Sequence, residues 1–318
     1  MITAYVHNNG YLMPVTVGEN QPLPADAIWV DLLAPTRAEE TSVEKALGIN
    51  LPSREEMSEI EISSRLYQEN GMLFMTATLM AHTETDIPVS EPVTFILTGK
   101  RLITIRFSGL TAFSSYTSYV QRQPESNYSS DALLVGLLDS IVDRIADILE
   151  RVQREMSQVS STVFAQEKAD FEEALRAIGM SEALTTRARE SLVSIGRLLT
   201  FLSRPNETKI SRTMERSLKT LSRDVMSLSD HSTFLANNIT FMLNTTLGMI
   251  NIQQTDIIKI FSVMAVVFLP PTLIASIYGM NFHFMPEISW KYGYPVSLVL
   301  MLISAILPYL YFKWKRWL

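Results

Sequence analysis

The chain has 318 residues, 47% of them hydrophobic, which is enough for about two ordinary domains or for one domain with an elongated extension. Its formal charge of −6 averages two unlike parts: residues 257–318 carry only Glu287 against Lys259, Lys291, Lys313, Lys315 and Arg316, so the first 256 residues hold a net charge of about −10. An acidic body without a basic stripe argues against a nucleic-acid partner, and the absence of cysteine excludes a disulfide framework, a thiolate metal site and a cysteine nucleophile.

The first ~110 residues alternate short apolar runs with turn signals. Strands are expected at 2–6, 12–17, 28–33, 73–80, 93–97 and 102–107, with Thr98-Gly99-Lys100 as a hairpin turn between the last two. Between them, Pro35-Thr36 and Ser53 followed by Glu55 and Glu56 read as helix starts. The expectation for residues 1–130 is an α/β domain, a mixed sheet covered by helices. The N-terminal residues lack the basic and apolar regions of an export signal, so this body is expected in the cytoplasm.

From about Asp131 the pattern is helical, with starts suggested at Ser130-Asp131 and at Ser181. Residues 131–205 form a helical segment. After Pro205, Ile210, Met214, Leu218, Leu221, Val225, Leu228, Leu235, Ile239, Met242 and Ile250 recur at steps of three and four, and Ser232 and Thr246 fill the two gaps in that seam. Gly248 is the one glycine or proline between Asn206 and Pro270. A single helix is therefore expected from the stalk, 206–256, into the apolar stretch that follows, on the order of 100 Å at 1.5 Å per residue. The seam is most simply a contact between copies of the chain; an antiparallel seam within one chain is the alternative.

Residues 260–277 and 294–312 contain no charge, and each is close to the roughly 20 residues that cross a bilayer core. Two transmembrane helices, 257–278 and 294–313, are expected around a loop at 279–293, with a basic tail at 314–318. Lys313, Lys315 and Arg316, with Trp314 and Trp317 among them, place both termini in the cytoplasm by the positive-inside bias. The localisation expected is a bacterial inner membrane.

An enzyme is not expected. The four histidines form no HExxH, no GxSxG is present, and no glycine-rich loop could cradle phosphate. His82-Thr83-Glu84-Thr85-Asp86 reads as a solvated hairpin loop, and Glu39, Glu40, Glu55, Glu56, Glu59 and Glu61 read as a solvated helix face. The first span is different, because Ser262, Thr272 and Ser276 fall near one side, completed by Ala265 and Leu269 and continued downward by Ile258 and Thr255. Two readings stand: small and hydroxyl residues that let helices pack closely, or a wet cation path with Ile258, Phe261 and Leu269 as apolar constrictions. A path would need several subunits, since two helices cannot enclose one.

Tyr278-Gly279-Met280-Asn281-Phe282 directly after this span, then Met285-Pro286-Glu287, a second span and the ending Lys313-Trp314-Lys315-Arg316-Trp317-Leu318, resembles the CorA family of magnesium transporters, as does the Phe268-Leu269-Pro270-Pro271-Thr272 stretch before it. The resemblance implies a homopentameric funnel with Gly279, Met280 and Asn281 at its outer mouth. It implies a passive, gated channel for Mg²⁺, and for Co²⁺ or Ni²⁺ besides, with no organic cofactor. Asn281 would hold a hydrated ion through its amide oxygen, and Gly279 would permit the sharp exit of the chain. Glu287 would concentrate cations at the mouth. Regulatory Mg²⁺ would bind carboxylates between neighbouring bodies, with Asp224 the candidate and Asp230 or Asp256 as substitutes. Thr255 stands where the family often has Asn, and Ser276 where glycine is common. A zinc transporter of the same superfamily and a non-conducting, membrane-anchored coiled coil are the alternatives.

Overall fold

The computed structural model describes residues 1–8, 10–18, 21–59, 61–84, 88–124, 128–165, 170–203, 212–281, 283, 285–286 and 290–315. They form two compact units, Met1–Leu243 and Asn244–Leu318.

The first unit is built on a seven-stranded mixed sheet. Its strands are β1 (Ile2–Asn8), β2 (Tyr11–Val17), β3 (Ala27–Leu33), β4 (Leu66–Glu69), β5 (Met72–Ala81), β6 (Val89–Leu97) and β7 (Leu102–Arg106), in the order β2-β1-β3-β7-β6-β5-β4. Only β3 and β7 are parallel. All six expected strands are present, and β4 is the addition. It has two polar residues in four, which hid it, although the following Asn70-Gly71, both at positive φ, is the two-residue turn that a tight hairpin requires.

One sheet face is closed by α1 (Arg37–Leu47) and α2 (Arg54–Ser58): Val30, Leu32, Ile96, Ile103 and Ile105 pack with Val43 and Met57. Both helices begin where the sequence says, each with a full capping box, Thr36 with Glu39 and Ser53 with Glu56. Glu39 is not on a solvated face. It is 7% exposed and accepts from the Met1 ammonium at 2.9 Å and from the Thr36 amide at 2.8 Å. Burial pushes its carboxyl up, but the ammonium and Thr36 outweigh it and hold it below the usual range. Between α2 and β4 lies one short turn, α3 (Ile62–Arg65).

The helices that follow the sheet in the chain are α4 (Thr111–Arg122), α5 (Ser130–Phe164) and α6 (Phe171–Leu202). On this side Trp29 stacks on Tyr5 at 4.3 Å, and its indole N–H donates to Thr104, whose hydroxyl donates to Asp31. Arg106 closes the network onto Asp31 at 2.8 Å and lies over the Phe113 ring of α4. Helix α6 reaches the sheet through the Ser194 hydroxyl, which accepts from the Thr78 amide. Ser181 does not start a helix. It is fully buried inside α6, whose cap is Asp170, accepting from the amides of Glu172 and Glu173. Gly179, just before Ser181, imitates a break but stays helical.

Helix α7 (Arg212–Tyr278) runs 67 residues, through Pro270 and Pro271. Its seam is covered within the chain: Leu218, Leu221, Val225, Leu235, Ile239 and Met242 are each 4% exposed or less, and Ser232 is fully buried. A methyl group placed on Gly196 of α6 would meet Val225 at 3.7 Å, so α6 supplies part of that cover. The antiparallel seam within one chain is therefore what forms over this length, because α5 and α6, of 35 and 32 residues, offer apolar stripes of matching reach.

In the second unit α7 is followed by α8 (Gly293–Trp314). Both α7 and α8 are long and apolar enough to cross a membrane, with windows of mean hydropathy 2.2 and 2.0.

Candidate functional site: an exposed polar stripe on a membrane helix

Thr255, Ile258, Phe261, Ser262, Ala265, Leu269, Thr272 and Ser276 are all exposed in the single chain. At helical spacing they share one side of α7, with Phe261 at its flank. Among the described side chains of 257–278, Val263 is the one that is buried, and the half-buried Val267, Pro270, Pro271 and Ile274 share its side, away from the stripe. Ile258, Phe261 and Leu269 are 64%, 67% and 65% exposed.

The hydroxyls are oriented by their own helix. Thr255 Oγ1 donates to the Asn251 carbonyl at 2.8 Å and Thr272 Oγ1 to the Phe268 carbonyl at 2.7 Å. With the proton committed there, each oxygen presents lone pairs outward, and an acceptor is what the water shell of a cation can use. Pro270 and Pro271 have no N–H to give, which frees the carbonyls of Val266 and Val267 from their usual donors.

At its C-terminal end the helix closes with the Gly279 amide donating to the Ala275 carbonyl at 2.9 Å and the Met280 amide to the Ile277 carbonyl at 3.3 Å. Asn281 follows, outside the helix and exposed. A Cβ at position 279 would lie 3.1 Å from the Ala275 carbonyl oxygen, a tight approach that Gly279 avoids. Glu287 lies outside the described residues.

The three carboxylates expected to regulate lie in different surroundings. Asp224 is exposed on α7 and near Asp139 of α5, whose carboxyl is raised above its ordinary value by burial, then by Asp143 and Asp224. Asp139 and Asp143 were not legible as companions of Asp224, because about 80 residues separate them and only the folding of α5 beside α7 brings them near. Asp256 is tied to Lys259 at 2.9 Å within its own helix, and Asp230 is exposed. Among the described residues no three His, Asp or Glu side chains are grouped so as to hold a metal ion. Glu84 is taken up by Arg144 and Arg151 of α5, which ties the loop after β5 to the body; Asp86 lies outside the described residues.

Comparison with known proteins places these features in context. The family model described as CorA-like Mg²⁺ transporter protein matches residues 24–316. The magnesium transport protein CorA of Escherichia coli (strain K12) is 34% identical over the full length of both chains. Among solved structures, the CorA magnesium transporter of Methanocaldococcus jannaschii superposes with a TM-score of 0.78 at 20% identity, covering 100% of this chain and 99% of that one. The cytoplasmic domain of ZntB from Vibrio parahaemolyticus superposes with a TM-score of 0.52 at 9% identity, covering 77% of this chain and 96% of that one.

Proposed function

We propose, from the fact that this chain belongs to the CorA-like Mg²⁺ transporter family, that it forms a passive, gated channel carrying Mg²⁺ into the cytoplasm, with α7 of each copy lining a common path. The observation that carries this reading is the stripe from Thr255 to Ser276, exposed along its length, ending at the exposed Asn281. A face of acceptor oxygens interrupted by Ile258 and Leu269 suits an ion that keeps its water and a gate that works by drying. The homopentamer is the arrangement that the family resemblance implies. In it residues 206–256 serve as the stalk, 257–278 and 294–313 as the spans, 279–293 as the outer loop and 314–318 as the basic tail. The whole lies in a bacterial inner membrane with both termini cytoplasmic.

Asn281 forms the outer ring. A ring of neutral carboxamides hydrogen-bonds the hydration shell without trapping the ion, as carboxylates would. The membrane potential supplies the drive, roughly 2.3 kcal/mol per charge per 100 mV and twice that for a divalent cation. Regulation is assigned to Asp224 with Asp139 and Asp143. These like charges disfavour one another when bare, and a hydrated Mg²⁺, completed by ligands from a neighbouring copy, relieves that.

The test is flux into liposomes holding the purified protein. Mg²⁺ influx that follows the imposed potential, and that falls at least tenfold in Asn281→Ala, is expected. Zn²⁺ influx without Mg²⁺ influx supports the zinc alternative. No influx of either ion, or no effect of Asn281→Ala, overturns the channel.

A further inference from the structure

Between α6 and the turn from α3 into β4 lies an open cleft of about 620 Å³ that the channel reading does not use. Its volume falls within the roughly 300–1,000 Å³ of small-molecule sites. Leu66, Val193 and Phe201 give it an apolar wall, and Ser63 and Arg197 are among its polar members. The charge there runs against the rest of the body. Arg65, between the lining residues Ser63 and Leu66, is half-buried, and its guanidinium donates to two neutral acceptors, the Glu59 carbonyl and the Thr78 hydroxyl, the latter at 2.8 Å. Burial, and then the charge of Arg197, lower its pKa from the ordinary value. Arg197 is exposed, and among the described residues neither guanidinium is ion-paired with a carboxylate, whereas Arg37, Arg106, Arg144, Arg151, Arg176 and Arg187 each are. In a body with an excess of carboxylates, two guanidiniums that oppose each other beside an open cleft leave a place for an anion from outside the chain. Thr200 commits its proton to the Gly196 carbonyl at 2.7 Å, so the guanidinium N–H groups and the Ser63 hydroxyl are the donors that remain.

We propose that this cleft binds a nucleoside polyphosphate, its phosphates on Arg197 and Arg65 and its base against Leu66, Val193 and Phe201. Guanidinium groups hold phosphate oxygens by paired, charge-assisted hydrogen bonds. The apolar wall and the volume are more than a bare phosphate uses, and a planar base fills them. Gly196 lines the same cleft and is the point at which α6 approaches Val225 of α7, so the occupant sits where α6 and the stalk meet. The site is separate from Asp139, Asp143 and Asp224, and it stands whether or not the chain conducts.

The test is equilibrium binding of ATP carrying a fluorescent ribose label to the purified full-length protein in detergent, at a fixed free Mg²⁺ concentration so that chelation plays no part. Saturable binding is expected, displaced by unlabelled ATP. Pyrophosphate, which lacks the base, and adenosine, which lacks the phosphates, are expected to displace it only at concentrations roughly tenfold higher or more. Arg197→Gln should weaken binding by roughly tenfold or more and Arg197→Lys by less. Arg189→Gln, which removes an exposed charge earlier on the same helix, should leave it unchanged, with wild-type circular dichroism melts in all three variants. Absence of saturable binding overturns the proposal, and so does an equal loss in Arg189→Gln and Arg197→Gln, the mark of general charge attraction. Pyrophosphate that competes as well as ATP overturns the place given to the base. None of these measurements involves ion passage: flux without nucleotide binding removes the cleft alone, and nucleotide binding without flux removes the channel reading alone.

Discussion

A buried charge is tolerated only with its partner buried beside it, and Asp31 and Arg106 meet that condition at 5% and 12% side-chain exposure. Asp31→Ala would strand Arg106 beneath α4 and leave Thr104 without its acceptor. A loss of ~3–5 kcal/mol is expected in denaturant unfolding of the solubilised protein. Tyr5, in the same layer, has its hydroxyl pushed up to about 12 by burial and then by Asp31, with Arg106 pulling the other way. The folded state therefore holds that proton more tightly than the unfolded state does. Its contribution is complete below pH 10 and is lost as pH rises toward about 12. Thermal unfolding followed across that window should fall less steeply in Tyr5→Phe. At Gly136 of α5 an added Cβ would lie 2.4 Å from the Tyr116 hydroxyl and 2.7 Å from its ring, so Gly136→Ala should force α4 and α5 apart and cost ~1–3 kcal/mol. None of these three sites was legible beforehand. Asp31, Tyr5 and Gly136 stand in ordinary local contexts, and their importance comes from partners 20 to 75 residues away.

At the scale of elements, legibility followed the strength of the local pattern. The capping boxes at Thr36 and Ser53 named their helices to the residue, since the chemistry that ends a helix is written in four consecutive positions. The start of α6 was misplaced because Asp170 caps it without any neighbouring proline or glycine, while Gly179 and Ser181 imitate a boundary inside it. The seam on α7 was plain in the sequence, but periodicity tells how many residues a face has and not what covers it. Here α6 supplies part of that cover, through Gly196 beside Val225. Leu235→Asp, at a fully buried seam position, should therefore destabilise the body by several kcal/mol. Asn237→Asp, two residues on and exposed, should leave its unfolding midpoint unchanged, as circular dichroism melts of both variants would show.

For the whole molecule, the acidic excess and the basic remainder divide along the chain as the function requires. The excess belongs to a unit whose carboxylates feel one another, as Asp139 does Asp143 and Asp224, and the remainder brackets two spans. Occupancy of that acidic surface by Mg²⁺ should slow limited proteolysis of the full-length protein at millimolar Mg²⁺. In Asp224→Asn combined with Asp139→Asn the protection should shrink; an unchanged digestion pattern in the wild type would remove the sensing role. Family membership was readable from residues 278–281 and the chain's last residues because so few arrangements place Gly-Met-Asn between two uncharged spans. The proximity of Asp139 and Asp143 to Asp224 was not, because these carboxylates are distributed over α5 and α7.

The continuity of α7 also makes residue number a determinant of angle. With no break between the buried seam and Thr255, each residue inserted between them turns everything above it by about 100° relative to everything below. One alanine added after Gly248 should swing Ser262 and Thr272 out of the proposed conduit and abolish influx while the body melts as before. A seven-residue insertion returns the phase nearly to its start and only lengthens the helix by about 10 Å, so conduction should survive it better than it survives the single residue. The helix thus acts as a keyed shaft, cut to a fixed number of teeth.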